Sequence, residues 1–201
     1  MDNLQHAMLD VMPRVGAATA ADIELLERHE VVRGEIVRKA LPVFRHSFVQ
    51  GRIVVALAGF HGQGSGAQSP GGWWLGTEPT IELALHEVYQ PDVAGWRLEH
   101  VPELDEYPIR LVPDWVCEIL SPSTADRDLG HKLRAYHRAH VGHYWIVEPT
   151  TQTLTVYRWQ EASYTTALTA RAGERVRAEP FDAIEIALAS VFDLPPPARG
   201  R

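Results

Sequence analysis

The chain has 201 residues, 45% of them apolar and 22% charged, with a formal net charge of −7. That length suits one well-buried domain with short extensions, and the balance is that of a soluble globular protein. A single cysteine, Cys117, excludes an internal disulfide framework and a cysteine-built zinc cage, and the negative charge argues against unselective attraction to nucleic acid.

Met1 to Leu9 carries Asp2, Gln5 and His6, so it lacks the basic and apolar regions of a signal peptide. No run approaches the roughly 20 apolar residues needed to cross a bilayer. A soluble, cytoplasmic protein with no membrane partner is expected. Residues 1–20 mix Met, Pro, Gly and Ala without period and are expected to form a loose arm. Ala21 to His29 reads as a short helix. Val31 to Arg38 reads as strand, turn, strand with Gly34 at the bend. From Arg45 to Phe60, the positions Val49, Ile53, Leu57 and Phe60 recur at three and four residues and predict a helix with an apolar face.

Gly59 to Gly72 is glycine-rich and is expected to be a mobile surface loop. No Gly-Lys-Ser/Thr follows it, so it is no phosphate-binding loop. Gln63 and Ala67 stand where a nucleophile elbow around Ser65 needs glycine. Together with Trp73-Trp74 this loop is a candidate surface for a homodimer. Trp73 to Leu75, Ile81 to Leu85 and Asp92 to Leu98 are candidate strands, and the acidic Glu99 to Pro108 reads as loop. Trp115 to Leu120 is the central strand, ended by Ser121-Pro122-Ser123-Thr124. Asp126 to His140 is the second long helix, and His143 to Glu148 and Thr153 to Trp159 are strands. Phe181 to Ile186 is a candidate edge strand before a proline-rich tail over 193–201. Helix, several strands, helix, two strands describes one α/β domain over 21–192.

Glu118 interrupts a strand that is otherwise apolar on both faces. A carboxylate there loses its water, at a cost of several kcal/mol unless a metal, a cation or hydrogen bonds replace it. A structural salt bridge with an arginine is the competing reading. Asp92 follows Pro91, which fixes the backbone at a strand start; it is either a turn aspartate or a second acid. Alternation puts Glu118 with Val116 and Leu120, and turns Cys117 to the other face as inert packing.

On the downstream helix, Leu129, Leu133 and Tyr136 make the buried stripe, and Lys132 borders it beside Asp128. The lysine either pairs with Asp128 at i, i+4 or reaches the sheet edge along its long stem. Arg127, His131, Arg134 and Arg138 fall on the opposite side, as a solvated face or as one that tracks phosphates. His137, His140 and His143 have zinc-like spacing, but the helix end and Gly142 separate them. Two carboxylates and a lysine at one sheet end suit a hard divalent ion, Mg²⁺ or Mn²⁺, and phosphodiester hydrolysis. The Ile119 carbonyl is a further candidate ligand.

Pro91-Asp92, the string Val116 to Thr124, Arg127-Asp128, Lys132, Tyr136 and Tyr144-Trp145-Ile146-Val147 together resemble the Uma2 (DUF820) family. Its members are restriction-endonuclease-like proteins of the PD-(D/E)XK superfamily. The resemblance runs from about Ala21 to Phe192, with Val31 to Val37 and His46 matching the opening strand-turn-strand and helix. It implies a restriction-endonuclease-like domain, a central mixed β-sheet flanked by helices. It also implies that Asp92 and Glu118 match the superfamily's metal-binding acids and that the activity is nuclease-like rather than any particular cleavage; DNA is the expected substrate. The superfamily's usual lysine position, two residues after the acid, holds Leu120, so Lys132 would stand in for it. Glu35 and Glu82 are additional candidate acids. The alternative is a catalytically silent module with the same fold that binds nucleic acid or a protein partner.

Overall fold

The computed structural model describes residues 16–101, 104–121 and 128–193. They fall into two compact units.

The first unit takes in residues up to Ala40, Thr80–Gln90 and Asp105–Leu111. Its sheet is antiparallel throughout, in the order β2-β1-β5-β4, from β1 (His29–Val32), β2 (Glu35–Arg38), β4 (Ile81–Ala84) and β5 (Glu87–Tyr89). The β1–β2 hairpin turns on Arg33 and Gly34, both at positive φ (54° and 77°), the backbone that matches the strands' own twist. Only glycine suits the second position, because a Cβ there would lie 2.1 Å from the Gly16 carbonyl oxygen. Val31 and Val88 pack with Ala18, Ala20 and Ile23 into a small core. The helix expected over Ala21 to His29 is reduced to a 3₁₀ turn, Ala20–Asp22, whose Asp22 carboxylate accepts the Thr19 backbone N–H at 2.8 Å.

The second unit holds a six-stranded sheet in the order β10-β9-β8-β7-β6-β3. Its strands are β3 (Trp73–Thr77), β6 (Val93–Arg97), β7 (Trp115–Ile119), β8 (His143–Glu148), β9 (Thr153–Arg158) and β10 (Thr165–Arg171). Every neighbouring pair is antiparallel except β7–β8, so the sheet is mixed. All five residues of β7 are buried, as expected of a strand covered on both faces.

On one face lies α1 (Phe44–Leu57), which buries His46, Val49, Ile53 and Leu57 and runs into a 3₁₀ turn ending at Phe60. Val49, Ile53, Leu57 and Phe60 pack with Trp115, Cys117 and Ile119 of β7 and Trp145 and Val147 of β8, and with α3 (Ala189–Phe192). Phe181 lies among the rings of Phe60, Trp73, Trp115 and Trp145, with centroids 4.8–5.7 Å away. On the other face lies a π-helical turn, Asp128–Lys132, followed by α2 (Leu133–Arg138), with the Tyr136 ring 5.3 Å from Tyr144.

Several expectations need correction. The second helix is short, and its π turn changes the rotation per residue, so Lys132, Ala135 and Tyr136 are buried while Leu133 is only half-buried. The stretch from Phe181 to Ile186 is not an edge strand: Val176 and Ile186 pair in the short ribbon of β11 (Arg175–Val176) with β12 (Ile186–Ala187). β10 and β5 were not anticipated. The glycine-rich loop lies at the surface as expected, with Gly71 N–H donating to Gly59 O and Gly72 N–H to Gly62 O at 2.9 and 2.7 Å. Trp73 is core rather than surface, and only Trp74 is exposed. Arg127 and Ser123-Thr124 lie outside the described residues.

Candidate active site

The second unit gathers four buried ionisable side chains, Asp92, Glu118, Lys132 and His46, at the end of β7 and the start of β6. Residues 93 and 117 face each other across the antiparallel β6–β7 pair. Asp92 immediately precedes β6, and its carboxylate reaches the backbone N–H of Ile119, the residue after Glu118.

Glu118 is 1% exposed, on the α2 side of the sheet. Its Oε1 accepts from Lys132 Nζ at 2.8 Å and from the Tyr136 hydroxyl at 2.7 Å. Lys132 is itself 1% exposed. The partner of the buried acid is thus a lysine from the crossover helix rather than an arginine. Tyr136 lies four residues on, on the same helix face, and was not foreseen as a donor. Its spacing from Lys132 was the available signal.

Asp92 is held differently. Its Oδ2 accepts from the Ile119 backbone N–H at 2.7 Å, in the plane of the sheet. The same oxygen takes the His46 ring Nε2 at 3.2 Å, from the α1 side. The Asp92 carbonyl accepts from Gln50 Nε2 at 2.7 Å and from Glu78 N–H at 3.2 Å. His46 was also missed as a site residue, although it sits three residues before Val49 on the apolar stripe.

Both acids act on Cys117. Burial, chiefly, and then the negative charges of Asp92 and Glu118 push its thiol well above its ordinary pKa. It faces the α1 core and is packed there as expected.

The remaining candidates lie elsewhere. Arg134 and Arg138 are exposed on α2, as expected. Glu35 is exposed and Glu82 pairs with Arg110 at 3.1 Å, both in the first unit. His137 lies 5.6 Å from Trp159 with nearly parallel rings and contacts Gln160 O, His140 leans on Trp159, and His143 faces Glu179. They do not converge. Among the described residues no three His, Cys, Asp or Glu side chains gather as a metal cage. The first unit has its own buried pair of ionisable groups, Glu30 and Lys39, which sequence reasoning did not single out. Gln90 N–H donates to Glu30 Oε1 at 3.0 Å, and Lys39 Nζ donates to Gln90 O at 2.6 Å. No described helix is long and apolar enough to cross a membrane.

Over residues 20–189 the chain matches the Uma2 family, described as "Putative restriction endonuclease". A structure described as "Crystal structure of a putative nuclease belonging to DUF820", from Anabaena variabilis ATCC 29413, has a similar fold with a TM-score of 0.67. The two chains are 20% identical, and the likeness covers 87% of this chain and 97% of that one. None of the curated proteins matches the chain.

Proposed function

The chain belongs to the Uma2 family of restriction-endonuclease-like proteins, and on that premise we propose that it is a divalent-metal-dependent endonuclease acting on DNA. The observation that carries the reading is the buried cluster of Glu118, Lys132 and Tyr136 one strand from Asp92. Stability alone gives no reason for it, since hydrophobic residues of similar volume in place of a buried ion pair are often neutral or stabilising.

The donor chemistry fits a hard ion. Asp92 and Glu118 offer carboxylate oxygens and Ile119 a carbonyl, and Mg²⁺ typically takes one or two carboxylates with substrate phosphate and waters. In a strand the N–H and C=O of one residue point to the same edge. The Ile119 carbonyl is therefore directed to the β6 side, where its N–H meets Asp92. Bound there, Mg²⁺ or Mn²⁺ would acidify a water and offset charge on the phosphate.

The protein's own groups do the rest. Tyr136 and Lys132 fix the Glu118 carboxylate, and the ammonium presents positive charge where negative charge grows on the scissile phosphate. The Ile119 N–H and His46 fix Asp92. Exposed Arg134 and Arg138 are assigned to the phosphate backbone, with Arg127 of the same stripe.

The test is a supercoiled plasmid incubated with purified protein and Mg²⁺ or Mn²⁺. Nicked circles should appear, chelator should stop them, and Asp92→Ala, Glu118→Ala and Lys132→Ala should each lower the rate about 100-fold or more. Undiminished nicking by the acid variants would mean a contaminating nuclease and would overturn the proposal.

One observation favours the silent-module reading instead: Lys132 already neutralises Glu118 internally. That reading predicts salt-sensitive DNA binding without turnover, weakened by Arg134→Ala or Arg138→Ala and indifferent to loss of the Glu118 carboxylate.

A further inference from the structure

Helix α1 touches Asp92 twice, through two side chains one turn apart. His46 Nε2 meets the carboxylate Oδ2 at 3.2 Å, and Gln50 Nε2 donates to the Asp92 carbonyl at 2.7 Å. Positions four apart share a helix face, so both contacts arise from a single edge of α1. An ionised carboxylate only accepts, so the nitrogen that meets it, Nε2, carries a proton in this contact.

The other ring nitrogen, His46 Nδ1, is buried without a hydrogen-bond partner among the described residues. On a stripe that continues as Val49, Ile53 and Leu57, an apolar residue would pack without that unsatisfied atom, so packing does not account for a histidine.

We infer that His46 and Gln50 are a positioning clamp for Asp92. Gln50 anchors the backbone where β6 begins. His46, with the Ile119 N–H, pins Oδ2, which fixes the side-chain torsions and hence the direction of the whole carboxylate. The inference rests on the metal-dependent reading of the site, because a clamp matters only if Asp92 must hold a set direction toward an ion. Partners behind a ligand act in this way generally: they orient it and raise its effective affinity.

The test is calorimetric titration of the full chain with Mn²⁺, with the melting temperature of each variant recorded beside it. Replacing His46 by Leu should weaken Mn²⁺ binding about 10–100-fold. Gln50→Leu should weaken it in the same direction, and it carries the comparison at a half-buried position should His46→Leu not fold. His46→Gln keeps an N–H donor and should recover part of the affinity. A purely structural role would lower the melting temperature while leaving affinity unchanged. Mn²⁺ affinity in His46→Leu and Gln50→Leu within about threefold of wild type, with Asp92→Ala no longer binding, overturns the clamp alone. A wild-type chain that binds no Mn²⁺ overturns the metal reading and the clamp with it.

Discussion

Replacing Lys132 by methionine should destabilise the protein more than replacing an exposed cation such as Arg134. Methionine keeps the stem and removes the ammonium 2.8 Å from Glu118 Oε1. Both side chains are within 2% of complete burial, so water cannot take over the lost charge partner, and the near-zero figures typical of surface pairs do not apply. Removing one member of a buried pair costs about 3–5 kcal/mol. The Tyr136 hydroxyl still donates to the same oxygen, which places the expected loss at the lower end. For a chain of this size about 3 kcal/mol corresponds to a melting-point drop of roughly 6–12 °C. Urea denaturation at neutral pH measures it. Glu118→Gln with Lys132→Met should regain much of the loss, because it leaves no buried charge unpaired, and the cycle then gives the coupling directly. A loss below about 1 kcal/mol in the single variant, the level of an exposed pair, would refute the burial on which the site rests.

Other outcomes follow from the same geometry. Tyr136→Phe removes one charge-assisted bond and should cost about 1.5–3 kcal/mol in urea, less than Lys132→Met; a neutral result would mean that the hydroxyl is dispensable. The raised thiol of Cys117 should leave a disulfide reagent unreacted in native protein and consume one equivalent in urea. Its folded form stays protonated while the unfolded thiol ionises near about 8.5, so its stabilising effect is complete below that pH and declines above it. Fast native labelling would contradict this. His143 is lowered mainly by burial, against the opposing pull of Glu179. The unfolded chain therefore binds the proton more tightly, and stability should fall as pH drops below about 6.5. His143→Gln should flatten that decline; an unchanged slope would reassign it. Gly34→Ala, at φ +77° against the Gly16 carbonyl, should cost more than about 1 kcal/mol, measured by urea denaturation.

Long periodic segments were legible from the chain alone. The stripe Val49, Ile53, Leu57 and Phe60 is the buried edge of α1 and its 3₁₀ extension, and the apolar run around Glu118 is the central strand. Glu118 was legible because a charge in such a run demands a partner, and the structure supplies two. β10 was not, because its residues are mostly exposed and carry little period, with a register shift between Thr166 and Leu168. β5, β11 and β12, at two or three residues, are too short for any period to emerge. Lys132 was placed one step from its true orientation because a constant 100° per residue does not hold through a π turn. His46 was hidden by its own spacing, since it reads as one more member of an apolar stripe.

Among the described paired strands β7 and β8 are the one parallel couple. A hairpin cannot join such strands; the polypeptide has to travel back the length of the sheet before the next strand starts, usually as a helix. That return journey is what brings Lys132 and Tyr136 over Glu118. Had β8 run the other way, a tight turn after Ile119 would have sealed the acid inside with nothing long enough to answer it. The direction of a single strand thus decides whether a buried negative charge at this place is tolerable at all.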